Sequence, residues 1–477
     1  MNSKRLRVYK KHLRKNPHLC KVLEQIEFHK DTHKDAMEKH QTKNILERQT
    51  QDVLEGIAWH VLAPTKHMFM VWTLQQALEK KVERLYFLAR DAYLMFKVAD
   101  KICKEFDLPI ECRYFYCSRF SLRTPLYHLN IEQALDYICA YGLEMNLGVV
   151  LERTGLSREQ QEEVIQHLVT DFKRDEDIPF SRIKEVRQSL RECELFIQYF
   201  TEYSKELTPH LLGYLEQEGL FDDVNYAVVD SGWVGSTQKT FNQALGQCGL
   251  KKGVIGFYWG LYDLPSKNKQ EDYYTYYFGP GKNIKEKVHF SNSLFEAIFS
   301  APHGTTTGYK RAGERVEPIY LEAHKEKIDF IQSIEEILLQ YTDLFIKDVS
   351  DIKKIDALRA RKTIYQILRL FMGKPSKEEA KCFGSLIFSY DFKEDGTQYI
   401  AAKFTRRDLK NYQLIPRVLA MLGLRDGKVK ESGWPEGSIV LYGKRVNYHL
   451  LQSALYKRLS YMRLKMLWRL RREEDDR

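Results

Sequence analysis

Three carboxylates, three arginines and a glycine loop are spaced along this chain in a way that suits a ligand bearing phosphate. Val224 to Gly246 reads VNYAVVDSGWVGSTQKTFNQALG. The apolar run Tyr226 to Val229 ends at Asp230, and Gly232 and Gly235 follow where the backbone can take angles a side chain forbids. Ser236 and Thr237 come next. A helix opening there presents first-turn amides without carbonyl partners, and the positive end of its dipole, to a phosphate. Asp230, at the carboxyl end of its strand, is placed to hold a sugar hydroxyl or a metal. A plain strand-turn-helix connection with a cap accounts for the same residues and is the competing explanation.

Two further stretches repeat the pattern. RLYFLARDAYLMFKVADK, from Arg84, is a buried-strand run that turns at Arg90 and Asp91 into an amphipathic helix. Arg90 is a fork donor suited to phosphate oxygens, and Asp91 suits either Mg²⁺ or a proton. An Arg–Asp pair that merely caps the helix is the alternative. ECRYFYCSRFSLRTP, from Glu111, is a third strand running into Ser118, Arg119 and Arg123. Later, FSNSLFEAIFSAPHGTTTGY, from Phe290, reads as a short helix carrying Glu296, followed by His303 in a Gly-Thr loop. A carboxylate one loop away from such a cluster is placed to act as general base while the loop holds a substrate. Local hydroxyl hydrogen bonds in a turn explain the threonines as well.

These residues need elements that bring them together. Three strands ending in Arg90, in Arg119 with Arg123, and in Asp230 converge on one rim of a parallel sheet, so an α/β core over 56–310 is expected. GVIGFYWGL, from Gly253, is a fourth strand, and 131 to about 220 is a helical insertion. The segment 1–55 is a basic helical lead, and 311–477 a mainly helical C-terminal domain. Within the latter, the chain is expected to be helical from Glu317 through Met372, with a small hairpin around Glu394-Asp395-Gly396 and a short strand at SIVLY. The last helix, about Tyr448 to Arg472, carries Leu451, Leu455, Leu459, Met462, Met466 and Leu470 at helical spacing among many Lys and Arg. It reads either as a packed terminal helix or as a peripheral anchor on acidic lipid at the inner face of a membrane.

The chain of 477 residues carries a formal charge of +10, which favours anionic partners. No nucleic-acid module is recognisable, and charge by itself is sequence-blind. No apolar run approaches the roughly 18 to 20 residues that span a bilayer, nor is there the apolar core of a signal peptide, so a cytoplasmic protein is expected. The eight cysteines include no C-x-x-C and read as reduced, buried thiols. His29, His33 and His40 suggest a solvated face more than a metal site.

The central loop is not a P-loop, because Trp233 and Gln238 occupy the positions that need glycine, and it lacks G-x-G-x-x-G. Together, FLARDAYLM, YFYCSRFSLRTP, VVDSGWVGSTQ and LFEAIFSAPHGTTTGY resemble, in order and spacing, the phosphoribosyltransferase-type glycosyltransferase module of bacterial surface-polysaccharide clusters, such as O-antigen and capsule, often fused to a HAD phosphatase. The likeness covers roughly Val61 to Tyr309. One departure is that the family's loop usually has two adjacent acids, whereas Ser231 follows Asp230.

The resemblance implies a phosphoribosyltransferase-like core that uses 5-phosphoribosyl diphosphate (PRPP) and Mg²⁺ to move a phosphoribosyl unit onto a glycan hydroxyl, with ribofuranose as the product sugar. Arg90, Arg119 and Arg123 would hold the diphosphate. Gly232, Gly235, Ser236 and Thr237 would grip the 5-phosphate, with Ser118 and His303 also touching substrate. Asp91 and Asp230 would bind the metal, and Asp91 or Glu296 would take the acceptor proton. This chain has no phosphatase motif, so a separate phosphatase would remove the 5-phosphate. A glycosyltransferase using a nucleotide sugar, or a basic binding protein without activity, are the rival readings.

Overall fold

The computed structural model describes residues 3–32, 45–140, 145–250, 253–265, 272–347, 349–388, 398–422, 424 and 430–475. Its centre is a five-stranded sheet of β1 (Arg84–Leu88), β2 (Glu111–Phe115), β3 (Tyr226–Trp233), β4 (Ile255–Leu261) and β5 (Tyr273–Phe278). The strands lie in the order β2-β1-β3-β4-β5, and every pairing is parallel. All five residues of β1 are buried, which is why RLYFL reads as a continuous apolar run rather than an alternating one. The chain is of the α/β class.

Helices cover both faces. Leu85, Phe87, Ala227, Val229, Phe257 and Trp259 share a core with the helices Ala63–Glu79, Tyr93–Glu105, Lys325–Lys347 and Ala357–Phe371. Tyr86, Leu88, Tyr226 and Val228 pack on the other side against Phe241, Ala244 and Leu245 of the helix Ser236–Gln247, and against Leu211, Tyr214 and Leu215 of the helix Glu194–Gln217. From β1 the chain crosses outward to β2, whereas from β3 it crosses the other way to β4. The carboxyl ends of β1 and β3 therefore flank a topological switch point, where the flanking connections part and leave a crevice.

The insertion between β2 and β3 is helical, as expected. Leu135, Leu147, Val164, Leu190 and Phe196 form a hydrophobic cluster of its own. Among the described residues, the terminal regions have no such separate core. Tyr9 and Leu13 near the start, and Trp434 and Ile439 near the end, join the same buried cluster as the sheet. Arg5 and the Tyr9 hydroxyl both donate to Glu379, across more than three hundred residues of chain.

Tyr273–Phe278 forms the edge strand β5, and Thr306–Ala312 pairs with Arg315–Tyr320 as an antiparallel hairpin, β6 and β7. The helical stretch expected from Glu317 thus begins only at Lys325, and it comes as two helices, Lys325–Lys347 and Ala357–Phe371. SIVLY is not a strand. It lies in the helix Pro435–Tyr442, which Pro435 opens at its first position and whose Ile439 and Val440 are buried; a short apolar run with β-branched residues looks the same in either state. Ile387–Phe388 does pair with Gln398–Tyr399 as a hairpin, while its turn at Glu394-Asp395-Gly396 lies outside the described residues. The side chains of His29, His33 and His40 also lie outside them. Among the described residues, no helix is long and apolar enough to cross a membrane.

Candidate functional site

The switch point gathers a charged cluster. Asp230 is the fifth residue of β3, and Asp91 follows β1 by three residues, so adjacent parallel strands deliver both carboxyls to one edge. Both are half-buried. The Ser231 amide donates to Asp230 Oδ1 at 2.8 Å. Burial raises the pKa of Asp91, and Arg90, Lys66, Lys327 and the Ser231 hydroxyl oppose the rise. Asp230 is pushed well above the carboxylate range by burial and then by Asp91, against Ser231, Lys66 and Arg119. Like charges that share a low-dielectric site resist ionising together.

Glu296 joins them from the short helix Asn292–Ile298. The Trp233 indole donates its Nε1–H to Glu296 Oε1. Burial, followed by Asp91, lifts the Glu296 pKa to about 8, with Trp233 and Arg90 pulling the other way. Trp233 itself has φ 73°, in the left-handed region that a bulky side chain adopts only when its surroundings impose it. Those surroundings are aromatic: Phe290 and Phe295 lie within 5.6 and 6.1 Å of its ring centroid.

Lys66 forms the floor. It sits in the helix Ala63–Glu79, is fully buried, and its Nζ has no hydrogen-bond partner. The ammonium lies 4.4 Å from the Phe295 ring centroid and 4.0 Å from that of Phe299. Burial depresses its pKa well below the usual lysine range, and only Asp91 and Asp230 resist. The sequence reading missed Lys66, Lys327 and Trp233. A lone lysine inside the apolar run APTKHMFMVW was the available signal for the first, since charged groups are almost never fully buried unless paired. Nothing local marks the other two.

The glycine loop behaves as its sequence suggests. Gly232 has φ 114° and Gly235 φ 62°. A Cβ on Gly232 would stand 2.4 Å from the Gly260 carbonyl oxygen of β4, so the neighbouring strand requires glycine there. The helix opens at Ser236, and no side chain caps it, leaving its first-turn amides near Ser236 and Thr237 available to an anion.

Other expected site residues are committed elsewhere. Arg119 is exposed near Asp230. Arg123 instead donates to Thr240 Oγ1 at 2.6 Å and stacks 3.7 Å from the Tyr137 ring centroid, against the middle of the Ser236–Gln247 helix. Ser118 caps a helical turn by accepting from the Ser121 amide at 3.0 Å, and donates to the Thr306 carbonyl at 2.7 Å. His303 is buried against Tyr114, Tyr116 and Tyr320. Because the Gly304 carbonyl can only accept, His303 Nδ1 donates to it at 2.8 Å, and Nε2 is hydrogen-bonded to the Tyr114 hydroxyl at 2.8 Å. Both ring nitrogens are thus engaged in holding the loop. Among the described residues, no three His, Cys, Asp or Glu side chains converge as a metal site. No protein-family model matches the chain, and no curated protein matches it.

Proposed function

We propose that the chain is a glycosyltransferase of the phosphoribosyltransferase type, moving a 5-phosphoribosyl unit from PRPP onto a glycan hydroxyl in surface-polysaccharide assembly. One observation carries the reading: paired carboxylates, Asp91 and Asp230, stand at the switch point beside a glycine loop and an uncapped helix start. That combination suits a ribose bearing phosphate at one end and diphosphate at the other.

In this reading the bond from ribose C1 to the diphosphate oxygen breaks, and the leaving diphosphate keeps the electron pair. The acceptor oxygen bonds to C1 and gives up its proton. Arg90 and Arg119 offset charge growing on the diphosphate, the amides at Ser236 and Thr237 hold the 5-phosphate, and Asp230 holds the ribose hydroxyls. Asp91 or Glu296, carboxyls whose pKa burial raises, takes the acceptor proton. Asp91 and Asp230 form a donor pair whose mutual repulsion a divalent cation relieves, and Mg²⁺ commonly takes one or two carboxylates and completes its shell with substrate phosphate and water. Bound there, Mg²⁺ would neutralise diphosphate charge. The product retains its 5-phosphate, so a separate phosphatase acts after it.

Phosphorus NMR of the purified chain with Mg²⁺, PRPP and candidate glycan acceptors tests the proposal. Acceptor-dependent release of diphosphate supports it. A donor that neither binds nor turns over with any acceptor overturns it.

A further inference from the structure

The C-terminal helix, Val446–Asp475, turns an apolar stripe away from the protein. Leu451, Leu455, Leu459, Met462, Met466 and Leu470 are all exposed, Leu451 by 57% and Met466 by 64%. The face packed on the protein lies on the other side. Leu450 and Ser453 are buried, Ser453 and Lys457 bond Glu436 at 3.1 and 2.7 Å, and Tyr461 stacks on Tyr262 at 5.6 Å between centroids. Ser453, Lys457 and Tyr461 each stand two residues beyond a stripe residue, about 200° around the helix. Trp468 belongs to the inner face, where its ring packs over Gly281.

A second helix widens the patch. Leu414–Met421 lies alongside, with the Leu414 amide donating to Gln452 at 3.1 Å, Arg417 over the Tyr456 ring at 4.1 Å, and Ser460 donating to Met421 Sδ at 4.0 Å. The contacts advance together, so the two helices run in the same direction. For such a pair, a residue one step ahead of the contact row on one helix and one step behind it on the other face the same side. Ile415, exposed by 70%, and Leu422 are one ahead, while Leu451, Leu455 and Leu459 are one behind.

We propose that this patch is where the protein lies on a bilayer surface rich in acidic lipid. Charge selects the occupant. The helix has seven Lys and Arg, all before its three acids, Glu473, Glu474 and Asp475, which come only at its end, and Arg458, Arg463 and Arg469 are exposed beside the stripe. A second copy would stack these cations against one another. Moreover, the apolar spacing of 4-4-3-4-4 follows a nearly straight helix face, not the seven-residue repeat of a supercoiled pair. Apolar side chains flanked by cations match the boundary between acyl chains and anionic headgroups. This proposal does not depend on the reaction proposed above.

Co-sedimentation of the full chain with phosphatidylcholine vesicles, with and without phosphatidylglycerol, tests it. Binding is expected with phosphatidylglycerol, weakened by salt, and little without it. The exposed-residue variant Leu455→Gln/Leu459→Gln/Met462→Gln should lose binding with unchanged circular dichroism. Arg458→Glu/Arg463→Glu should weaken it by roughly tenfold or more, which keeps the test decisive if the first variant misfolds. Failure of the wild-type chain to bind acidic vesicles overturns the proposal, as does binding that neither variant reduces. A dimer in light scattering that the glutamine variant dissolves, without vesicle binding, would make a second copy the occupant and also overturn it.

Discussion

The Trp233 indole and the Glu296 carboxyl are joined by one hydrogen bond that ties the end of β3 to the helix Asn292–Ile298. It reaches a carboxyl whose pKa stands at about 8. A hydrogen bond donated to a carboxylate favours its charged form, so Trp233 restrains a rise that burial and Asp91 produce. Replacing Trp233 with Phe keeps an aromatic ring but removes the donor. The Glu296 pKa should then rise further, and carbon-13 NMR of the glutamate carboxyls would show its titration displaced to higher pH; an unmoved titration would refute the coupling.

Glu296 also makes stability depend on pH. Its folded value of about 8 lies above the ordinary 4.5, so between these values the native state holds a proton that the unfolded chain has released. Stability therefore falls as pH rises through that window, by at most about 1.4 kcal/mol per pH unit. Glu296→Gln keeps an acceptor for Trp233 and removes the titration. Urea unfolding at pH 5 and pH 8 should show a smaller loss in the variant than in the wild type.

Lys66 works in the opposite sense. Its folded pKa lies well below 10.5, so unfolding takes up a proton across the window between the two values, and stability rises with pH there. Lys66→Met fills a similar volume without burying an amine that has no hydrogen-bond partner. The variant should be more stable than the wild type near neutral pH, by a margin that shrinks as pH approaches 10. Denaturation midpoints at pH 7 and pH 10 measure both statements. A wild type more stable at pH 7 would mean that the attraction to Asp91 and Asp230 outweighs desolvation.

Gly232→Ala should destabilise the protein by about 2 to 4 kcal/mol. The added Cβ would meet the Gly260 carbonyl oxygen at 2.4 Å, and φ 114° is strained for any side chain. Backbone of a central strand has little room to yield, so a melting temperature within a degree of wild type would refute the close approach.

Asp230→Asn tests the proposed chemistry directly. The amide keeps the shape of the side chain but not its charge. Diphosphate release in the phosphorus NMR assay should fall by about a hundredfold or more, and unchanged turnover would remove Asp230 from the mechanism.

Much of the sheet was legible locally. β1, β3 and β4 announce themselves because strands buried on both faces become continuous apolar runs, the edge strand β2 shows only its aromatic end, and the glycines after Asp230 mark the turn into a helix. β5 went unread although Tyr273–Phe278 consists of strand-favouring Tyr, Thr and Phe. The β6–β7 hairpin, with its charged and glycine positions, owes its strand state to the pairing of its two arms. Asp91, Asp230 and Glu296 could be named from their places after strands or in a short helix, and the meeting of the strand ends could be expected, whereas Lys66 and Trp233 as their neighbours could not.

What the sequence by itself determined is the set of strand-loop-helix units and the charged residues at their ends, because these follow from short-range periodicity and from the backbone freedom of glycine. What only the tertiary structure decided is which of those residues meet. Strand order brought Asp91 beside Asp230, and aromatic packing placed Lys66 beneath them. Helix docking turned Arg123 towards Thr240 and, in the last helix, chose which of two opposite faces would be buried. Each of these outcomes depends on contacts between residues far apart in the chain, and no local pattern records such contacts.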